Sequence, residues 1–323
     1  MIELGPGAGL IRMVGWIFWL VIIGAFVGAA LIPKTKTNKA IALLAVTVLF
    51  LVFPGRRVWE MKREAEAKGS RLAKAEAMFQ EHCKTAGEKI DRTVYGVEGI
   101  LLMKLRPKGY NHGDQYRMDD PYGSDMGGDG YIKSFLRGNE TRQAEFAPGA
   151  PLRYGYHYVE AVDPQDGKKY RFVGTKKVVG RKDVDSPNIQ NELKRNPNFD
   201  LNNYDFVLDK TPSPGPAPRY GVTYDDISTR DDREYWIAGS ALRIIDLQTN
   251  EVIAERIGYM MDRGQGALST GGSQAAWLRA ANHACPGFQR NPNRPISPGR
   301  ASSAQAYQTE DFVEKILKPK LEN

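Results

Sequence analysis

The chain has 323 residues, 41% of them hydrophobic and 26% charged, and the stretch of about 240 residues beyond its N-terminal helices is long enough for one large domain or two small ones with a real core. Its formal charge of +7 falls to about +4 beyond residue 55 once Arg12, Lys34, Lys36, Lys39 and Glu3 are set aside, and no Lys or Arg run is interleaved with aromatic residues, so nucleic acid is not expected as a partner. With only four histidines, an enzyme relying on imidazole is poorly supplied.

Two uncharged apolar runs stand first, Met13 to Ile32 and Ala40 to Phe53. About 20 apolar residues span the ~30 Å of bilayer hydrocarbon, so the first run predicts a transmembrane helix. The second run is shorter, and crosses only if Lys39, Arg56 and Arg57 extend their stems to the headgroups. Together they predict a hairpin over residues 1–57, with helices at about 13–32 and 40–57, joined by Pro33-Lys34-Thr35-Lys36-Thr37-Asn38-Lys39. Gly24 and Gly28 have the spacing that lets two helices approach closely. Gly28-Ala29-Ala30 would suit signal-peptide cleavage, but the run is longer than a signal core and a second one follows. Two forms of the positive-inside rule disagree on the side occupied by the rest of the chain.

Residues 58–87 predict a linking amphipathic helix: Leu72, Ala75, Phe79 and Cys83 fall at offsets of three, four and four, and Gly87 is a plausible stop. Near the other end Ser273 can cap a helix running through Trp277 and Leu278 to Cys285, where Pro286 restricts continuation. Both cysteines then lie on apolar helix faces. They are either small core residues or a disulfide clasp between the two ends of the domain. A clasp persists only in an oxidising compartment, which favours a periplasmic domain held by a two-pass anchor in a bacterial-type inner membrane. His82 and His283 raise the alternative of a zinc site, but adjacent ligands in one helix point about 100° apart.

Residues 88–323 predict an α+β domain, mainly antiparallel, with helices toward the C-terminus. Thr93 to Met103 is rich in β-branched and apolar residues and reads as a strand bulged at a glycine. Residues 106–151 are mostly loop, with a short element around Tyr131 to Leu136. Leu152, Tyr154, Tyr156 and Tyr158 alternate on one face, Asp163-Pro164-Gln165-Asp166-Gly167 turns the chain, and Lys169 to Val179 returns as a strand. After a polar stretch with one short helix and the Pro-rich connector 211–218, strands are predicted at 220–224, 235–238, 241–247 and 251–259. The last two flank Gln248-Thr249-Asn250, where Asn250 can accept a left-handed backbone. Thr309 is expected to cap a final helix with Phe312, Val313, Ile316 and Leu317 on its apolar face.

Three constellations invite chemistry. Asp119, Asp120, Asp125 and Asp129 crowd a glycine-rich loop, but their spacing fits no calcium loop: the position that needs a bidentate glutamate is Leu136. Arg263, before the glycine-rich segment that leads to Ser273, is a candidate anion site with the Ser273 helix end. Asp225, Asp226, Asp231, Asp232 and Glu234 suit a salt-bridged turn better than a paired-carboxylate hydrolase site, because Arg230 and Arg233 interrupt them. No metal and no cofactor is expected. The favoured function is a non-enzymatic protein-interaction domain, an envelope-complex component or immunity-type binder whose partners are the lipid bilayer and another envelope or secreted protein. The rival is a membrane-tethered hydrolase drawing its acids from one of the two clusters.

Overall fold

A computed structural model of the chain describes residues 7–109, 113–116, 120–123, 126–139, 155–213, 215–267, 276–288, 305 and 307–321. It divides into two compact units, residues 1–71 and 72–323. The first holds α1 (Gly7–Leu31), α2 (Lys36–Thr47) and most of α3 (Phe53–Cys83). Thr35 caps α2, its hydroxyl accepting from the Asn38 N–H at 3.2 Å.

The expected transmembrane hairpin is not borne out: among the described residues no helix is long and apolar enough to cross a membrane. The second run shows why most plainly. α2 has 12 residues, about 18 Å against a ~30 Å core. A π-helical turn, Val48–Val52, then interrupts it, and α3 is charged from Arg56 onward. The two-pass inner-membrane address, with its periplasmic domain, is withdrawn with the hairpin.

The second unit begins at Leu72 and carries the rest. In chain order come β1 (Gly87–Ile90), β2 (Val94–Val97), β3 (Gly99–Leu102), α4 (Asp129–Phe135), β4 (Tyr158–Val162), β5 (Lys169–Arg181), α5 (Pro187–Arg195), β6 (Asn202–Pro212) and β7 (Tyr220–Asp226). There follow α6 (Arg230–Glu234), β8 (Ile237–Asp246), β9 (Glu251–Met261), α7 (Ala276–Ala280), β10 (Ala284–Cys285), α8 (Gln308–Ile316) and β11 (Leu317–Pro319). Nine strands form one sheet in the order β1-β9-β8-β7-β3-β4-β5-β6, with β10 also on β9. β11 pairs with β2 in a separate parallel pair.

The expected α+β domain is corrected to a mixed α/β one: most strand pairs of the sheet are antiparallel, but its centre is not. β3 lies parallel to both neighbours, Leu102 opposite Ala161 of β4 on one side and Val222 of β7 on the other. Parallel neighbours need long crossovers, supplied here by the segment containing α4 and by the β5–β6 excursion. β8 is one strand where two were expected. The chain runs straight through Gly239 because a Cβ there would stand 2.4 Å from the Tyr259 ring on β9, so glycine serves as the seat of that ring rather than as a break.

The main core lies around β3 and β4, where Ile100, Leu102, Val159 and Ala161 are fully buried, closed by Phe135 of α4 and by Val313 and Ile316 of α8. Thr309, expected as the cap of α8, is instead inside it and 1% exposed, and its hydroxyl accepts from Arg106 at 3.3 Å. Ala75 and Phe79 of α3 pack on Ile237, Tyr259 and Met261, as the apolar stripe of that helix predicts. The stripe ends in a disulfide, Cys83 to Cys285, with Cα atoms 5.6 Å apart and the two cysteines 202 positions apart in sequence. Cys285 reaches it from β10, opposite Tyr259, and not from a helix, since α7 stops at Ala280. The bridge removes both thiols from any zinc site.

A third cluster holds Tyr122, Met260 and Trp277. Burial is the main reason the Tyr122 hydroxyl is pushed up to about 12, against a smaller downward pull from Arg256. The folded state therefore keeps that proton more tightly than the unfolded chain does. Stability of about 2–3 kcal/mol is present below pH 10 and lost as the pH rises from 10 to 12. Tyr122→Phe is expected to lose less stability than wild type over that interval, read from urea midpoints; parallel pH profiles would refute the assignment.

Candidate binding cleft

Where two adjacent strands run parallel, their carboxyl ends open onto the same edge of the sheet, and loops leaving that edge diverge to make a crevice. β3 and β4 are such a pair. Met103 to Lys108 leave the end of β3, and Asp163 to Gln165 leave the end of β4. Between them lies a cleft of about 760 Å³, completed by Gly127 to Gly130 and Ile132 at the start of α4, Phe172 on β5 and Lys210 on β6. The glycines are a steric requirement: a Cβ on Gly127 would lie 2.1 Å from the Pro107 carbonyl, and the Gly128 N–H donates to the Arg106 carbonyl at 2.9 Å.

The floor is apolar. Ile132 and Phe172 are buried, Leu105 packs against the main core, and Met103 and Val162 are 42% and 43% exposed toward solvent. Beneath it sits Arg106, 2% exposed, 3.0 Å from the Asp120 carboxylate, with its guanidinium 4.2 Å from the centre of the Tyr224 ring. Asp120 also accepts from the Gly123 N–H at 2.7 Å.

The rim is cationic. Lys104 rests its ammonium 4.5 Å over the Tyr224 ring, Lys108 is exposed, and Lys210 pairs with Asp163 while lying 3.9 Å over the Tyr170 ring. Hydrogen bonds from Lys210 and from the Gln165 N–H hold the Asp163 carboxyl below its usual range, and the same pairing with Asp163 raises Lys210. Asp163 is thus a fixed anion and Lys210 a fixed cation at any ordinary pH. Asp129 is the other carboxylate of the cleft. Among the described residues no group of three His, Cys, Asp or Glu side chains could hold a metal ion.

The constellations expected from sequence do not converge here. Of the loop acids, Asp120 is committed to Arg106 and Asp129 opens α4; Asp119 and Asp125 lie outside the described residues. The second cluster is spent on separate structural partners. Asp225 pairs with Arg243 at 2.7 Å, Asp226 with Arg233 at 2.6 Å, and Glu234 with Arg230 at 3.8 Å. Asp232 lies 2.6 Å from His82 Nε2 and forms a capping box with Thr229 at the start of α6. Arg263 is 3.6 Å from Glu76, which also faces His283 at 3.5 Å; Ser273 lies outside the described residues.

The sequence reading missed Lys104, Lys108 and Lys210. A signal was present in the first two: Lys104-Leu105-Arg106-Pro107-Lys108-Gly109 follows directly on a strand. It becomes meaningful only when that strand is known to have parallel neighbours, because an antiparallel sheet singles out no carboxyl edge. Lys210 comes from more than 100 residues away and carried no local signal. Comparison of the chain with protein-family models, with curated proteins and with solved structures finds no match.

Proposed function

We propose that the chain is a non-enzymatic protein-interaction domain whose cleft takes an apolar side chain flanked by acidic residues from a partner protein. The observation that carries this reading is the combination of an apolar floor with lysines from two separate elements, the loop after β3 and strand β6, around one opening. Apolar contact supplies the adhesion, and the cationic rim supplies orientation and selectivity. The β5–β6 ribbon gives a second support. Only Lys169 to Phe172 of β5 pair with β4, and the remainder of the strand pairs with β6 alone. That outer part leaves Val178 57% and Val179 61% exposed, an investment the core does not require.

The hydrolase alternative draws less support. Three acids of its second cluster, Asp225, Asp226 and Glu234, are paired with Arg243, Arg233 and Arg230 and do not converge on the cleft.

The test uses the full chain and a fluorescein-labelled peptide with one leucine between two pairs of glutamates. Saturable binding is expected by anisotropy, weakened about tenfold or more by Lys104→Glu with Lys108→Glu, and by exchanging the leucine for serine. Binding that ignores both changes would refute the cleft as the docking site. Cleavage of the peptide, abolished by Asp129→Asn, would favour the hydrolase.

A further inference from the structure

Arg256 lies on β9, between Leu242 of β8 and Glu88 of β1, and only 7% of it is exposed. A guanidinium taken out of water costs several kcal/mol unless a charge of opposite sign meets it. Among the described residues the hydrogen-bond partners of Arg256 are all neutral. Its Nη1 donates to the backbone carbonyl and side-chain oxygen of Gln308, its Nη2 donates to the Tyr122 hydroxyl at 3.0 Å, and its Nε is buried with no acceptor. Tyr122 stays protonated through ordinary pH and brings no charge. Of the carboxylates around it, Glu88 is 2.5 Å from Lys315 and Asp120 is paired with Arg106, and the hydrogen bonds of the guanidinium go to Gln308 and Tyr122 rather than to Asp311.

Against this arginine lies a second cavity, of about 360 Å³, lined also by Pro286, Phe288, Phe312, Glu88 and Asp311. Its size is at the small end for ligand sites. We infer that Arg256 anchors a binding site, separate from the cleft, for a small organic monocarboxylate with an apolar body. A planar fork of N–H donors matches a carboxylate. Phe288, Phe312 and Pro286 match the body. The acids on the wall, Glu88 and Asp311, disfavour a doubly charged phosphate.

The experiment uses the full oxidised chain with 3-phenylpropionate and its neutral isostere 3-phenylpropanamide, followed by calorimetric titration and by thermal unfolding. The acid is expected to bind saturably, at least about tenfold more tightly than the amide, and to raise the unfolding midpoint. Arg256→Gln is expected to erase the preference for the acid. Gly287→Leu fills the cavity while leaving the arginine in place; a Cβ at Gly287 meets only the Ala284 carbonyl, at 3.7 Å. This variant is expected to lose both ligands, and it decides the matter if Arg256→Gln fails to fold. No saturable binding of the acid up to about 10 mM, equal affinity for acid and amide in wild type, or binding that survives Gly287→Leu would overturn the assignment.

Discussion

Replacing Cys83 and Cys285 together by serine is expected to lower the stability of the unit spanning residues 72–323 by about 4 to 5 kcal/mol and its thermal midpoint by about 10–15 °C. The bridge closes a loop of some 200 residues, and in the chain-entropy model the unfolded state loses more freedom the longer the loop. The native side is well supplied with other contacts at the same place. Ala75 and Phe79 remain buried, Lys74 lies 4.8 Å over the Tyr235 ring, and His82 keeps its contact with Asp232 while stacking on Tyr259. The serine variant should therefore keep the native fold and unfold earlier. Urea titrations of oxidised wild type, reduced wild type and the double serine variant are the check. Coincidence of the last two, well below the first, is expected; three superimposed curves would show that the loop is constrained by other means.

A second large effect is expected at Asp120. Arg106 and Asp120 are 2% and 3% exposed, so Asp120→Ala removes a carboxylate 3.0 Å from a guanidinium in the interior, at a cost of about 3–5 kcal/mol. The Tyr224 ring 4.2 Å away and the Thr309 hydroxyl offset only part of that, because neither carries a full negative charge. Pairing the change with Arg106→Met removes the buried cation as well and is expected to recover most of the loss. A double-mutant cycle by chemical denaturation measures the coupling. If Asp120→Ala costs less than about 1 kcal/mol, the pair is wetter than its burial implies.

Much of the local structure was legible, because local chemistry fixes it. Asn250 takes a φ of 59° in the turn between β8 and β9, as an asparagine at that place suggests, and the stripe Leu72, Ala75, Phe79, Cys83 points to the face of α3 that carries the clasp. Partner choice was not legible. Nothing in Leu101 or its neighbours announces that it will lie opposite Gly221, 120 positions later and in the same direction, because an apolar strand core suits either orientation. The cleft depends on that pairing, so it was lost with it. The second acid cluster was legible as a salt-bridged turn, because Arg230 and Arg233 stand among its carboxylates, and Asp225, Asp226 and Glu234 each pair with an arginine. The apolar N-terminal runs show the limit of composition, since helix length and continuity matter as much as hydropathy, and the π-turn at Val48–Val52 interrupts the second.

The pairing of β11 with β2 has a consequence for how the protein is made. Leu317 lies beside Val94, and α8 immediately before it delivers Phe312, Val313 and Ile316 to the interior. A nascent chain halted anywhere between β9 and residue 312 would have nearly every sheet strand but a core open on one side, with apolar surface available to other nascent chains. Closure of this core therefore waits on the synthesis of α8 and β11, however early the sheet strands before them emerge.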